Sequence, residues 1–447
     1  MGLEDKVQRF IVTSAQYNAG LNDKVWKSMQ RFADNREANI KIMPTSGKNI
    51  SEDELHPDLQ QYEIITGKEI INSNLKLQNL QVRSNQINPL TGVQHFARDD
   101  RSLIFGSPKQ ALSYVSNHKK SFPKALTTTG TVTLPNYNDR GRINEIARND
   151  HTYGFVYVEV EDDKHFHFRH IKARKNGKFN DLTGSYTPNT HNPTPKTEAL
   201  IVGDLHAQEL DPKHKENTFK QIEKLQPKHL FLHDVFDGYS INHWIKEHYI
   251  QTQRAYDKQG LNLEKELKHT ADVLNEYATA EGLRGNINVV YSNHDDRLYR
   301  WLDEGEFLKD KGNSKIGALL FAEALEGKNP LEAGLKLVSN LSPNIKFLEP
   351  DSSYQMRGFE LAMHGHEKNK GGRSSVRSIE NALGKSVTGH THSSFIIRDT
   401  YKVGTSTPLD LEYTNGFGNW TQTNGALYST EQVQLLNTIN GKSSVDE

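Results

Sequence analysis

The chain has 447 residues, with 55 Lys and Arg against 56 Asp and Glu, which gives a formal net charge of −1. A chain this long usually forms two domains or one elaborated domain, and its near-neutral charge provides no global field to attract nucleic acid. The absence of cysteine excludes disulfides and thiolate metal sites, so any metal would be held by His, Asp, Glu or Asn. Without a bilayer-length apolar run or a secretory signal, we expect a cytoplasmic protein that does not enter membranes.

The N-terminal part of the chain alternates strand-like and helix-like segments. Its pattern predicts a strand over 9–16, a helix over 21–37 and a second strand over 39–44 that Pro44 ends. This β-α-β order is typical of an α/β domain, although the loop SAQYNAG lacks the glycines of phosphate-binding loops. The stretch FVYVEVEDDKHFHFRHI then predicts a β-hairpin within a β-rich region over 123–172.

Two further segments have more than one interpretation or mark a boundary. The basic and aromatic residues of 165–178 would either bind a phosphate backbone or protect a solvated strand edge with charge, and we favour the strand edge. Three prolines in SYTPNTHNPTPKTE predict a linker between domains. The predicted domains are 1–190, with a β-rich second half, and 199–435, joined by a linker over 191–198 and followed by a polar tail over 436–447.

In the second domain, five short apolar segments each end in side chains that can bind metals. These side chains are Asp204 and His206, then Asp234 and Asp237, then Asn293, His294 and Asp295, then His364 and His366, and finally His390 and His392. A lone histidine pair on a turn is more often solvated than bound to a metal. Five such strand ends in succession predict a shared site, because open α/β sheets place their sites at the carboxyl ends of strands.

The order and spacing of these segments, over about 199–410, resemble the calcineurin-like metallophosphoesterases. The resemblance implies an α/β fold, with a four-layer α/β/β/α sandwich preceded by a separate α/β N-terminal domain. It also implies two divalent metal ions, Mn first, with Mg, Fe or Zn as alternatives. Carried over residue by residue, it implies that Asp204, His206 and His392 hold one ion, that Asn293, His364 and His390 hold the other, and that Asp234 bridges them.

The same resemblance implies catalytic roles for the two residues that follow Asn293. His294 would protonate the leaving group or stabilise the transition state, and Asp295 would orient His294. His366 is an alternative ligand to His364, which we favour. The chain departs from the family where His233 and Ser292 stand in place of glycines, and no Arg follows Asp237. No substrate-binding residue is predicted.

The substrate is not decided by this pattern, which phosphomonoesterases, cyclic-nucleotide phosphodiesterases and nucleases share. The long stretch between Asp237 and Asn293 would either lie along a polynucleotide or form a homo-oligomer contact. Several segments, among them HDVFDGYSINHW and GTSTPLDLEYTNGFGNW, are similar to tailed-bacteriophage metallophosphoesterases that include early DNA-degrading proteins. That resemblance implies a DNase acting on nucleic acid, DNA first, in the host cytoplasm. The alternatives are an esterase of small substrates and a non-enzymatic early regulator that binds host proteins.

Overall fold

The computed structural model describes residues 7–48, 53–118, 122–242, 245, 247–366, 376–411 and 416–445. Within these ranges the helices are α1 (Asp23–Arg36), α2 (Arg142–Asn149), α3 (Pro212–Leu225), α4 (Tyr249–Gln259), α5 (Leu263–Ala278), α6 (Asn293–Asp303), α7 (Ser314–Leu325), α8 (Pro330–Val338) and α9 (Val376–Leu383). The strands are β1 (Gln8–Gln16), β2 (Asn39–Thr45), β3 (Glu63–Ile64), β4 (Lys68–Asn72), β5 (Leu75–Gln78), β6 (Ser102–Phe105), β7 (Ala111–Val115), β8 (Lys124–Thr128), β9 (Gly154–Val160), β10 (Phe166–Lys172), β11 (Phe179–Asp181), β12 (Gly184–Tyr186), β13 (His191–Asn192), β14 (Thr197–Val202), β15 (His229–His233), β16 (Asn286–Val290), β17 (Ile345–Phe347), β18 (Gln355–Met356), β19 (Phe359–Glu360), β20 (Ser386–Thr388), β21 (Phe395–Ile397), β22 (Thr400–Lys402), β23 (Thr423–Tyr428) and β24 (Gln432–Asn437).

The predicted β-α-β opening is confirmed. β1 and β2 pair in parallel on either side of α1, in a five-stranded sheet of order β10-β9-β1-β2-β3. The side chain of Asn22 accepts a hydrogen bond from the Val25 backbone and so starts α1 at Asp23 rather than at residue 21. Pro44 does not end the second strand, which continues to Thr45. The predicted hairpin is also present, as the antiparallel pair β9 and β10.

A six-stranded sheet of order β17-β16-β15-β14-β23-β24 is built from strands of the second half of the chain. Its first four strands run in parallel, so their carboxyl ends lie at one edge. Side chains alternate between its two faces: Leu200 packs in one core with Ile222 of α3 and Leu267 of α5, whereas Ile201 packs in another with Ile396 of β21. Helices therefore cover one face of this sheet, and another sheet covers the opposite face.

That other sheet has ten strands, in the order β18-β19-β20-β22-β21-β7-β8-β6-β5-β4. Strands from both sides of the predicted linker meet in it, because β21 pairs with β7 in antiparallel register. The sequence predicted a separate N-terminal domain. The N-terminal part instead shares a sheet with the C-terminal part. The predicted linker itself carries β13, which pairs with β12. The domain bounds derived from the sequence remain a prediction.

The strand edge predicted at 165–178 is present, but the prediction that it is solvated is wrong for β10. β10 does lie at the edge of its sheet, but it is buried, and Arg169 at its centre is only 1% exposed. The guanidinium of Arg169 donates to both carboxylate oxygens of Asp181, at 2.9 and 3.3 Å, and to Glu159 at 3.2 Å. The charge on this strand is therefore compensated inside the protein rather than by water.

The predicted polar tail is likewise packed against the rest of the chain. Thr438, Ser443 and Ser444 are buried, and the Ser443 hydroxyl accepts hydrogen bonds from Asn217 and Gln221 at 2.8 Å. Polar residues can be buried here because their hydrogen bonds are satisfied. Among the described residues, no helix is both long enough and apolar enough to cross a membrane.

Candidate metal centre

The five predicted segments end at one place in the fold, between two sheets. β14, β15 and β16 of the six-stranded sheet lead into Asp204, Asp234 and Asn293. β19 and β20 of the ten-stranded sheet lead into His364 and His390. The structure thus brings together side chains that are far apart in the sequence, at the edge where both sheets end.

A first group of possible ligands consists of Asp204, His206, Asp234 and His392, whose ligand atoms all lie within 4.8 Å of one another. The Nε2 atom of His206 is 3.1 Å from Nε2 of His392 and 3.4 Å from Oδ2 of Asp234. Nε2 of His392 is 3.3 Å from Oδ2 of Asp204. Two imidazole nitrogens can face each other this closely only with a proton or a cation between them.

A second group lies on the other side of Asp234. Oδ1 of Asn293 is 3.1 Å from Nε2 of His364 and 3.0 Å from Nδ1 of His390. Oδ2 of Asp234 is 3.8 Å from Nε2 of His364. Asp234 therefore stands between the two groups. His366 instead points to Asp296, with Nε2 3.6 Å from its carboxylate, so His364 is the histidine of this pair that faces Asn293.

The carboxylates of the site lack the partners that buried charges require. Asp204 is fully buried and Asp234 is 2% exposed. Among the described residues, neither oxygen of Asp204 nor Oδ1 of Asp234 accepts a hydrogen bond from a side chain. Burial and the nearby Asp234 raise the pKa of the Asp204 carboxyl well above its usual range, because both disfavour its charged form. These atoms fit a divalent metal ion, which would compensate both carboxylates.

The histidines show the same need for a cation. Burial lowers the pKa of His392 to about 3, so its ring is neutral, as a metal ligand must be. Burial also acts to lower the pKa of His206, but Asp234 and Asp237 outweigh it and raise that pKa to about 9. When His206 is protonated, its N–H therefore lies between the carboxylates and His392, at the position that a metal ion would occupy.

Four of these side chains are held on strained backbone. His206, Asp234, His390 and His392 have φ values of 46°, 50°, 73° and 54°. Residues other than glycine rarely adopt this left-handed region, and each instance costs roughly 1–3 kcal/mol that the surrounding structure must supply. Strained residues of this kind cluster at functional sites. Their presence here agrees with a site whose geometry is imposed by the surrounding structure.

Gly389 allows the ligand loop to approach Asp204. A Cβ atom at position 389 would lie 2.1 Å from Oδ1 of Asp204. The glycine before His390 is therefore required by close contact with a carboxylate, and no side chain fits there unless Asp204 moves.

The structure contradicts the predicted role of Asp295. Its Oδ2 accepts hydrogen bonds from the backbone and the hydroxyl of Ser292, at 3.0 and 2.7 Å, in a capping box that starts α6. His294 is oriented instead by the carbonyl of Phe236, which is 2.9 Å from its Nδ1. Since a carbonyl can only accept, the Nδ1 atom of His294 carries the proton, and its Nε2 lies 3.9 Å from Oδ2 of Asp234. Ser292, which replaces a glycine of the family pattern, thus serves as the helix cap.

Two residues near the site were given no specific role by the sequence-based prediction. Oδ1 of Asp237 is 2.9 Å from Nδ1 of His206, so this carboxylate fixes the orientation of the ring. Arg297 donates to the carbonyl of Asp237 at 2.8 Å, from a position 60 residues farther along the chain. The motif signals Asp237, whereas nothing in the sequence near Arg297 could have placed it there.

The fold and the site define a mixed α/β protein with a buried cluster of His and Asp that could hold a metal ion. The chain is similar to Protein A1 of Escherichia phage T5, with 29% identity over 97% of this chain and 82% of that relative. This similarity suggests a bacteriophage protein, while the name states no activity. No family model matches the chain, and no solved structure matches it.

Proposed function

We propose that the chain is a metal-dependent phosphodiesterase of the calcineurin-like metallophosphoesterase type, and that it cuts DNA in the cytoplasm of a phage-infected bacterium. The observation that carries the proposal is the position of Asp234, a buried carboxylate whose Oδ2 lies 3.4 Å from Nε2 of His206 in one group and 3.8 Å from Nε2 of His364 in the other. Two sheets facing each other, with helices outside the six-stranded one, also agree with the four-layer sandwich of that family.

The proposal assigns each ligand to one of two divalent ions, with Mn²⁺ as the first choice. Asp204, His206 and His392 would hold one ion, Asn293, His364 and His390 the other, and Asp234 both. Bound there, two cations would lower the pKa of a water molecule and neutralise charge on the phosphoryl oxygens. Oxygen and neutral imidazole ligands without thiolates suit Mn²⁺, and Mg²⁺, Fe or Zn²⁺ are the alternatives.

The protein's own groups then position the phosphoester and move a proton. His294 is held by the Phe236 carbonyl with Nε2 turned toward the site, and in its doubly protonated form the ring would pass the Nε2 proton to the leaving oxygen and keep the proton on Nδ1. The N-terminus of α6 begins at Asn293 and adds the positive end of a helix dipole. The guanidinium of Arg297, beside Asp237, supplies the cation that the sequence lacks directly after Asp237.

Exposed aromatic side chains on the segments that follow the site residues in sequence support nucleic acid, rather than a small ester, as the substrate. On α4, Tyr249 is 95% exposed and Tyr256 is 61% exposed. Phe417 is 65% exposed, and the ring of Trp420 lies 4.3 Å from that of His392. Aromatic rings stack on bases of any sequence, which suits a nuclease without base specificity. Parts of two sequence stretches behind this prediction, at 243, 244, 246 and 412–415, lie outside the described residues.

The test is DNA cleavage by wild type beside Asp234→Asn, with Asp303→Asn as the matched control on the exposed face of α6. Linear and circular duplex DNA would be incubated with Mn²⁺, Mg²⁺ or EDTA. A small phosphodiester and a phosphomonoester would be assayed in parallel. We expect metal-dependent loss of DNA with wild type and Asp303→Asn, and none with Asp234→Asn.

The outcomes separate the alternatives. Hydrolysis of only the small esters would replace the nuclease with a small-molecule esterase. A protein that binds metal but hydrolyses no phosphoester would favour the non-enzymatic regulator. A fully active Asp234→Asn protein would refute the assignment of the site. Cleavage by a true nuclease should also weaken as salt rises, because several phosphates are bound at once.

A further inference from the structure

His233 adds a buried imidazole beside the site. It is the last residue of β15, directly before Asp234, and its side chain is fully buried. Its Nδ1 atom lies 3.4 Å from Nδ1 of His364, and the two rings are stacked with centroids 5.5 Å apart. A glycine at this position, as in the family pattern, would leave that face of His364 without the contact.

The protons of the two rings can be assigned from their surroundings. Nε2 of His364 faces Oδ1 of Asn293 at 3.1 Å and Asp234 at 3.8 Å, so it is the nitrogen that would bind an ion. A ligating nitrogen carries no proton, so the single proton of a neutral His364 must be on Nδ1. Nδ1 of His233 must then accept that proton's hydrogen bond, and the proton of His233 itself lies on Nε2.

Asp204 is the other candidate acceptor for this proton, but its geometry is poorer. Its Oδ1 lies 3.8 Å from Nδ1 of His364, beyond hydrogen-bond distance, while its Oδ2 faces His392 at 3.3 Å. Asp204 therefore belongs with the first group of ligands. His233 is the closer partner of His364, and it differs from a carboxylate in adding no further negative charge to the site.

We propose that His233 is a positioning residue that holds His364 in the tautomer whose Nε2 can bind a metal ion. His233 would thereby set the affinity of the group formed by Asn293, His364 and His390. The inference rests on the proposed function only in requiring that this group binds a divalent cation. Partners of this kind fix the orientation of a ligand, and their removal typically costs about 10–100-fold in metal affinity.

Three substitutions separate the hydrogen bond from the bulk of the ring. His233→Phe keeps the ring but removes the acceptor. His233→Asn places an amide oxygen near the position of Nδ1, whereas the longer His233→Gln places it near Nε2, out of reach of His364. His229→Phe is the matched control: it lies on the same strand, and its Nδ1 has no hydrogen-bond partner among the described residues.

The measurement is calorimetric titration of metal-free full-length protein with Mn²⁺, together with the melting temperature in EDTA. We expect His233→Phe and His233→Gln to lower the affinity for one of two Mn²⁺ ions about 10–100-fold. His233→Asn and His229→Phe should bind both ions as wild type does. The comparison of Asn with Gln keeps the test decisive even if the Phe variant does not fold.

Three results would overturn the inference. One is unchanged affinity in His233→Phe or His233→Gln proteins that melt like wild type. Another is an equal loss in Asn and Gln variants, which would mean that the acceptor position is irrelevant. A wild-type protein that binds no divalent ion would remove the proposed function as well. Ion binding without DNA cleavage would affect only the proposed function.

Discussion

Gly389→Ala tests the geometry of the site with one added methyl group. Gly389 precedes His390, and its φ lies outside the left-handed region, so the backbone can accept alanine. The added Cβ would lie 2.1 Å from Oδ1 of Asp204. The substitution therefore leaves every predicted ligand in the chain and acts only by displacing one carboxylate.

The size of the effect follows from the distances. Cβ atoms essentially never come closer than 3.0 Å to another heavy atom, so the carboxylate must retreat by about 1 Å. Metal–ligand distances tolerate only about 0.2 Å. We therefore expect Mn²⁺ affinity to fall at least about 100-fold, because even losing a partner of a ligand costs about 10–100-fold. At about 1.4 kcal/mol per tenfold, this corresponds to about 2.8 kcal/mol of binding free energy.

The assay is titration of the metal-free protein with Mn²⁺, with melting in EDTA to verify the fold. Gly67→Ala is the control, because nothing lies within 4 Å of its added Cβ and its φ is also outside the left-handed region. We expect Gly67→Ala to bind like wild type. A folded Gly389→Ala protein with wild-type Mn²⁺ affinity would refute the placement of Asp204 as a ligand.

Further predictions concern stability and substrate contact. Arg169→Met should lower the free energy of unfolding in urea by about 3–5 kcal/mol, because Asp181 and Glu159 lose their buried cation; a loss below about 1 kcal/mol would contradict this. Burial acts to raise the pKa of the Asp181 carboxyl, but Arg169 holds that pKa below its usual range. As the pH falls, this carboxyl is therefore protonated in the unfolded state before it is protonated in the folded state. The stability advantage of wild type over Asp181→Asn should therefore be present above about pH 4 and shrink as the pH falls, and an advantage that grows on acidification would exclude this ion pair as the cause. Arg297→Gln should lower kcat/KM for DNA about 10–100-fold without changing Mn²⁺ affinity, and the exposed Arg300→Gln should change neither quantity; an Arg297→Gln enzyme with wild-type kcat/KM would exclude the proposed role of Arg297 in positioning the phosphoester.

The elements that the sequence predicted correctly are those with local causes. α1 starts where Asn22 caps it, and α5 follows the apolar spacing within the long stretch after Asp237. The prediction at β10 failed for a non-local reason. Its charged residues indicated a solvated edge, but the partner of Arg169 is Asp181, on another strand of the folded chain. The charge of a residue does not by itself show whether water or an opposite charge within the protein compensates it.

The roles within the site divide in the same way. The residue types that can bind a metal ion were evident from the sequence, because ligand chemistry belongs to the side chain itself. The family resemblance implied that Asp295 orients His294, yet the local capping box with Ser292 holds the Asp295 carboxylate. A motif match thus identified the residue but not the contact that its side chain makes.

The sequence by itself determined which side chains are able to bind a metal ion and that each follows a short apolar strand. The family resemblance already implied that Asp234 stands between two groups. Only the tertiary structure decided that Arg297 reaches Asp237 and that His233 faces His364 from 131 residues away. It also decided that one ten-stranded sheet joins the two halves of the chain. The physical reason is that strand propensity and ligand chemistry are properties of short segments, whereas a contact between distant residues depends on how the sheets pair and pack.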